Sequence, residues 1–124
     1  MTREVAGLHI LRLGLATVFL WFGFSQLVDG INWVNIVPDW AVQLFHLPPA
    51  IIVLGNGLFE VIFGTLLAIG IRVRHVAFAL ALHLVPIIVT LGVSSMGVRD
   101  FGLCMATIAL GLLTKENIRL ITNT

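Results

Sequence analysis

Apolar runs of near-membrane length, separated by short polar punctuation, set the pattern of this chain. The runs are LHILRLGLATVFLWFGFSQLV at residues 8–28, PAIIVLGNGLFEVIFGTLLAIGI at 49–71, HVAFALALHLVPIIVTLG at 75–92 and VRDFGLCMATIALGLLT at 98–114. Each approaches or meets the roughly 20 residues that a helix needs to cross the hydrocarbon core. The last is the shortest and is expected to tilt little or to thin the bilayer around it. The first is too long for a signal-peptide core, and no A-x-A-like site follows it, so it reads as a retained helix. Residues 29–48 form the one long connection. Trp33 and Trp40 suit a membrane–water interface, and Pro38, Pro48 and Pro49 punctuate the segment. It is expected to hold short interfacial helical pieces over the mouth of a bundle. A tight turn around Arg72 and Arg74 joins the second run to the third, and VSSMG at 93–97 joins the third to the fourth.

Within the runs, small and polar residues recur at helical spacing. The first carries Arg12, Ala16, Phe19, Gly23 and Gln26, the second Asn56, Glu60 and Gly64. The third carries Ala79, His83, Pro86 and Thr90, and the fourth Asp100, Cys104, Thr107, Gly111 and Thr114. Such spacing holds each set on one helix face. In lipid, where apolar faces gain little by associating, small and polar residues mark helix contacts. Four seams of this kind predict an all-α integral membrane four-helix bundle, a single transmembrane domain over residues 1–124.

Composition agrees. The chain is 59% hydrophobic and 10% charged, with mean hydropathy +1.09, whereas a soluble domain carries roughly a quarter charged residues. A net charge of +1 gives no electrostatic ground for a nucleic-acid partner. The one cysteine, Cys104, excludes an intramolecular disulfide and a CxxC pair, and reads as a small packing residue. The cations set the orientation. With the N-terminus inside, Arg3, Arg12, Arg72, Arg74, Lys115 and Arg119 lie at or near the cytoplasm and only Arg99 lies outside. The positive-inside rule therefore predicts a multi-pass protein of the plasma membrane with both termini cytoplasmic.

Glu60 is the residue that most needs an explanation. It lies 11 residues past Pro49, roughly 16 Å deep and near the midplane, where an ionised side chain costs at least roughly 2.5–3.5 kcal/mol. Arg12 is its expected counter-charge, and Asn56, one turn away, a hydrogen-bond donor. Such a pair either fixes the packing or supplies a proton-accepting or ligand-orienting carboxylate in a polar pocket of Arg12, Gln26, Asn56, Glu60 and His83. His83 either joins Glu60 as a proton relay or bonds a backbone carbonyl such as that of Leu82, which Pro86 leaves without its helical donor. Arg99 and Asp100 form an outer-face polar pair. They read either as a cap with a surface ion pair or as the outer wall of a pocket with Gln26, Ser94 and Ser95. The sequence has no metal-ligand cluster, no nucleophile–base pair and no phosphate loop, and no catalytic residue is assigned.

LRLGLATVFLWFGFSQL at 11–27 resembles the first helix of the DoxX-like membrane proteins. NGLFEVIFGTLLAIGIRVR at 56–74 resembles their second, with its Gly-x-x-Glu core and basic turn, and RDFGL at 99–103 the start of their fourth. PDW at 38–40 is similar to part of their first loop. The resemblance spans nearly the whole chain. It implies a four-helix bundle in which Arg12, Glu60, Arg99 and Asp100 are the family-typical polar residues. Some such proteins are small subunits of quinol oxidases and thiosulfate:quinone oxidoreductases, and others belong to thiol-redox membrane complexes. The expected role is thus a subunit of a quinone-linked redox or respiratory assembly, with no covalently bound cofactor and quinone as the candidate ligand. Its expected partners are the lipid bilayer and redox-complex subunits, with a homo-oligomer as a further option. The alternatives are a small transporter or proton and solute permeation protein, and a structural membrane partner without activity of its own.

Overall fold

The computed structural model describes residues 2–114. Lys115 and Arg119, used above for orientation, lie outside them. Helix α1 runs Arg3–Val28, α2 Asp39–Phe45, α3 Pro49–Ile69, α4 Val73–Leu91 and α5 Ser95–Leu113. All but α2 are long and apolar enough to cross a membrane. Two 3-10 turns, Gly30–Asn32 and Val34–Ile36, lie between α1 and α2, so the expected helical pieces over the bundle mouth are present.

The helix ends depart from the apolar runs for local reasons. α1 begins at Arg3 rather than residue 8 because Thr2 caps it, its hydroxyl accepting from Val5 N at 3.2 Å. α5 begins at Ser95 because Ser94 caps it, accepting from Gly97 N at 3.0 Å. The early start gives α5 19 residues, about 28 Å of helix, so this span is not short for the bilayer. It also places Asp100 in the second turn. The capping role considered for Asp100 therefore belongs to Ser94. Gly97 is required there, since a Cβ would run into the Gly92 carbonyl oxygen. α3 ends at Gly70, whose φ of 83° suits the left-handed conformation, with Gly70 N and Ile71 N both donating to Leu66 O.

α1 packs chiefly on α3 and α4 chiefly on α5, and sparser α1–α5 and α3–α4 contacts join the two pairs. Small residues set the α1–α3 contact. A Cβ at Gly23 would lie 2.9 Å from Gly57 O, and one at Gly57 2.9 Å from Gly23 O. In the other pair Gly111 admits the Phe78 ring, and Cys104 Sγ lies 3.6 Å from Ala81 O, so Cys104 is the packing residue its type suggests. An apolar core of Leu15, Ala16, Phe19, Leu67, Val76, Leu80, Leu84 and Leu110, among others, fills the bundle. Outward faces carry Ile10, Trp21, Phe24, Leu54, Leu58, Leu82 and Val89, the surface that a lipid-embedded bundle exposes.

Three of the four expected seams are helix contacts. Arg12, Ala16, Phe19, Gly23 and Gln26 are all buried, as are Asp100, Cys104, Thr107, Gly111 and Thr114. On α3, Glu60 and Gly64 are buried and Asn56 is half-buried. The seam expected on α4 is corrected. Its packed face is Val73, Val76, Ala77, Leu80, Ala81 and Leu84, while Ala79 and His83 are half-buried and Pro86 and Thr90 exposed. Alanines and leucines make the contact there, and the polar residues border a cavity.

Candidate functional site

Because the two helix pairs meet sparsely, they leave a cavity of about 290 Å³ between them. It lies at the end of the bundle that carries the 29–48 connection. Phe19, Phe22 and Gln26 enter it from α1, Ile52, Asn56 and Glu60 from α3, His83 and Ile87 from α4, and Met96, Arg99 and Asp100 from α5. Trp33, Ile36, Val37, Trp40 and Phe45 of the connection also line it. That segment is pinned at two points. Trp33 Nε1 donates to Ser25 Oγ at 3.1 Å, and Trp40 Nε1 to Thr90 Oγ1 at 3.3 Å.

One corner of this largely apolar space is polar. Asn56 Nδ2 donates to Gln26 Oε1 at 2.7 Å and to Glu60 Oε1 at 3.1 Å. His83 Nε2 lies 3.8 Å from the same Glu60 oxygen, beyond hydrogen-bond length, and this buried nitrogen has no hydrogen-bond partner. The imidazole stacks on Phe59, ring centres 4.4 Å apart, and Phe59 on Phe63 at 4.2 Å. The stacking holds His83 toward Glu60, so of the two alternatives for His83 the geometry has the carboxylate neighbour for Nε2. Toward the mouth, Arg99 Nε and Nη2 both donate to Asp100 Oδ1 at 3.1 Å, and the guanidinium carbon sits 4.4 Å from the centre of the Phe22 ring.

Gln26, Asn56, Glu60 and His83 are therefore brought together as expected, and Arg99 and Asp100 line the same cavity. Arg12 is not with them. Its Nη1 donates to Leu67 O at 2.8 Å and to Ala68 O, and its Nη2 lies 3.1 Å from His9 Nδ1. Leu67 is seven residues beyond Glu60 on α3, about 10 Å along the axis. The expected Arg12–Glu60 ion pair is thus replaced by a cap. The last carbonyls of α3 carry the negative end of its dipole, and Leu67 O has only a share of Gly70 N, at 3.2 Å, so the Arg12 cation supplies donors and charge that this helix end is short of. Ser94 and Ser95 do not line the cavity; Met96 of the same turn does. Sequence reasoning missed Phe59 as the support for His83, although its place beside Glu60, one turn from the second phenylalanine of α3, Phe63, was a signal. It also missed Trp40 and Phe45 as walls, having placed the tryptophans only at the bilayer surface.

A family model described as DoxX matches residues 7–92. No curated protein matches the chain, and no solved structure does. The matched span holds α1 from residue 7 on, the 29–48 connection, α3 and α4, and with them Gln26, Asn56, Glu60 and His83. It ends before α5, so Arg99 and Asp100 fall outside it. More than half of the chain is matched, and the four helices among the described residues that are long and apolar enough to cross a membrane fit a multi-pass membrane protein: the chain belongs to the DoxX family.

Proposed function

We propose that this protein is a small subunit of a quinone-linked redox or respiratory membrane complex, and that its cavity holds a quinone head group. The observation that carries this reading is an aromatic-walled cavity with an inner polar corner of Gln26, Asn56, Glu60 and His83 and the Arg99–Asp100 pair toward its mouth. Flat apolar walls with a few convergent polar groups are what a ring-shaped ligand needs. At about 290 Å³, the space is at the low end of small-molecule sites, roughly 300–1,000 Å³. It suits a head group whose tail continues into lipid. Electrons would pass between the quinone and redox centres on partner subunits. In the orientation that fits the cations, Arg3, Arg72 and Arg74 face the cytoplasm and the cavity opens toward the outer face.

Permeation has less support. Between Arg12 and the Glu60 corner lie Leu15, Ala16 and Phe19 on α1, and Leu67 and Leu80 are fully buried, so the polar residues form two separate groups rather than one path. The test is Glu60→Gln in native membranes. Folding should be retained, and quinone-coupled electron transfer should fall by about a hundredfold or more, the lower end of what a proton-handling group contributes. Unchanged transfer in a well-expressed variant would overturn the proposal, and Glu60-dependent solute flux in proteoliposomes would favour permeation instead.

A further inference from the structure

The geometry points to Glu60 and His83 as a clamp for a hydroxyl group, so that the cavity takes the reduced, dihydroxy form of a planar ring in preference to its oxidised or O-methylated form. This deepens the ring-site reading above and rests on it. Glu60 Oε1 is an acceptor, because Asn56 Nδ2 donates to it at 3.1 Å. An sp² oxygen has a second lone-pair direction free for another donor. His83 Nε2 is 3.8 Å away and buried without a hydrogen-bond partner. Its N–H tautomer is favoured, since a bare lone pair would face the lone pairs of the carboxylate.

The 3.8 Å separation selects what bridges the two. It is too long for a direct bond and too short for an atom on the line between them. A hydroxyl oxygen set off that line, toward the cavity that both residues line, would lie about 2.8 Å from each; because Nε2 is buried, its entry requires the side chains over that nitrogen to shift. The angle subtended there is about 85°, within reach of a hydroxyl whose hydrogen rotates and whose lone pairs both accept. Such a group accepts from Nε2–H and donates to Oε1. A quinone carbonyl only accepts and would turn its lone pairs on Oε1. A methyl ether lacks the hydrogen and adds bulk. The stacking of His83 on Phe59 holds the donor direction fixed, which converts the arrangement into selectivity: a site built to hydrogen-bond a hydroxyl rejects the analogue that lacks one.

The test is binding of a short-tailed p-hydroquinone, its dimethyl ether and the matching p-quinone to the purified full chain in nanodiscs, under anaerobic conditions. The hydroquinone is expected to bind at least about tenfold more tightly than the ether, the loss that one charge-assisted hydrogen bond produces, and more tightly than the quinone. Glu60→Met, which removes the acceptor that the hydroxyl hydrogen needs, should erase the preference over the ether, whereas His83→Phe removes a donor that the hydroxyl and the ether oxygen can both use and should weaken both. Equal affinities for the three probes, tighter binding of the quinone, or a preference that survives Glu60→Met would each overturn the clamp while leaving the ring site standing. No binding of any probe would overturn the ring site itself, and the clamp with it. The wild-type comparison is decisive even if the variant does not fold.

Discussion

Arg12 and Glu60 look like a pair and are not one. Arg12 gives its hydrogen bonds to the Leu67 and Ala68 carbonyls, and Glu60 shares an oxygen with Asn56 beside His83. The two charges are therefore expected to behave independently. Arg12→Met removes the cap and leaves two carbonyls at the end of α3 without a side-chain donor, at a cost of about 1–3 kcal/mol. Thermal unfolding in detergent should show the loss, with Arg12→Lys in between, because an ammonium lacks the planar fork. Glu60→Gln keeps an acceptor for Asn56 and should shift the midpoint little. In the double variant the two effects should add; strong coupling between them would restore the ion pair. The mistaken pairing has a physical cause. Opposite charge suggests a partner, but register decides it, and the Gly23–Gly57 contact between antiparallel helices sets residue 12 beside residue 68 and residue 60 beside residue 20.

At the scale of the elements, α1 and α3 approach closely because Gly23 and Gly57 face each other. Gly57→Ala would put a Cβ 2.9 Å from both Gly23 O and Gln26 Cβ, a clash worth about 1–3 kcal/mol. It should lower the unfolding midpoint and loosen the Gln26–Asn56 bond next to it. Gly55→Ala, two residues away with nothing within 4 Å, should be neutral or stabilising by up to about 1 kcal/mol through helix propensity. A similar loss at both positions would mean that propensity, not contact, sets the effect. The elements also show what the sequence could and could not reveal. The seams of α1 and α5 were legible because polar and small residues on an otherwise lipid-facing helix have few other uses. The α4 face was not, because Ala77, Leu80 and Ala81 look like the lipid-facing residues around them. The polar residues of α4 belong to the cavity, which forms only where two helix pairs part.

Across the whole molecule, polarity is divided between two ends: a basic end with Arg12 and the 70–72 turn, and a cavity end roofed by residues 33–45. The orientation proposal follows from that division. Cys104 is buried, so a single added cysteine supplies the reactive thiol. Val93→Cys, in the exposed link before α5, should react with a membrane-impermeant maleimide in intact cells, and Thr2→Cys only after permeabilisation. The reverse pattern would invert the topology. The Ser94 cap was not visible in the chain, because residues 93–97 read as a link and Asp100 offered the same role; the helices and the polar residues of the site were. Their division into one corner and one cap depends on helix register, and the cavity depends on a roof whose tryptophans fold inward as well as facing the interface. The central claim is that this cavity is a ring site. The most direct measurement is photolabelling of the protein in native membranes with an azido-quinone, with the labelled peptides mapped by mass spectrometry. The account predicts label on Trp33, Phe45 or Met96, displaced by unlabelled ring compound. Label spread over lipid-facing residues such as Ile10, Leu58 and Val89, and not displaced, would contradict it.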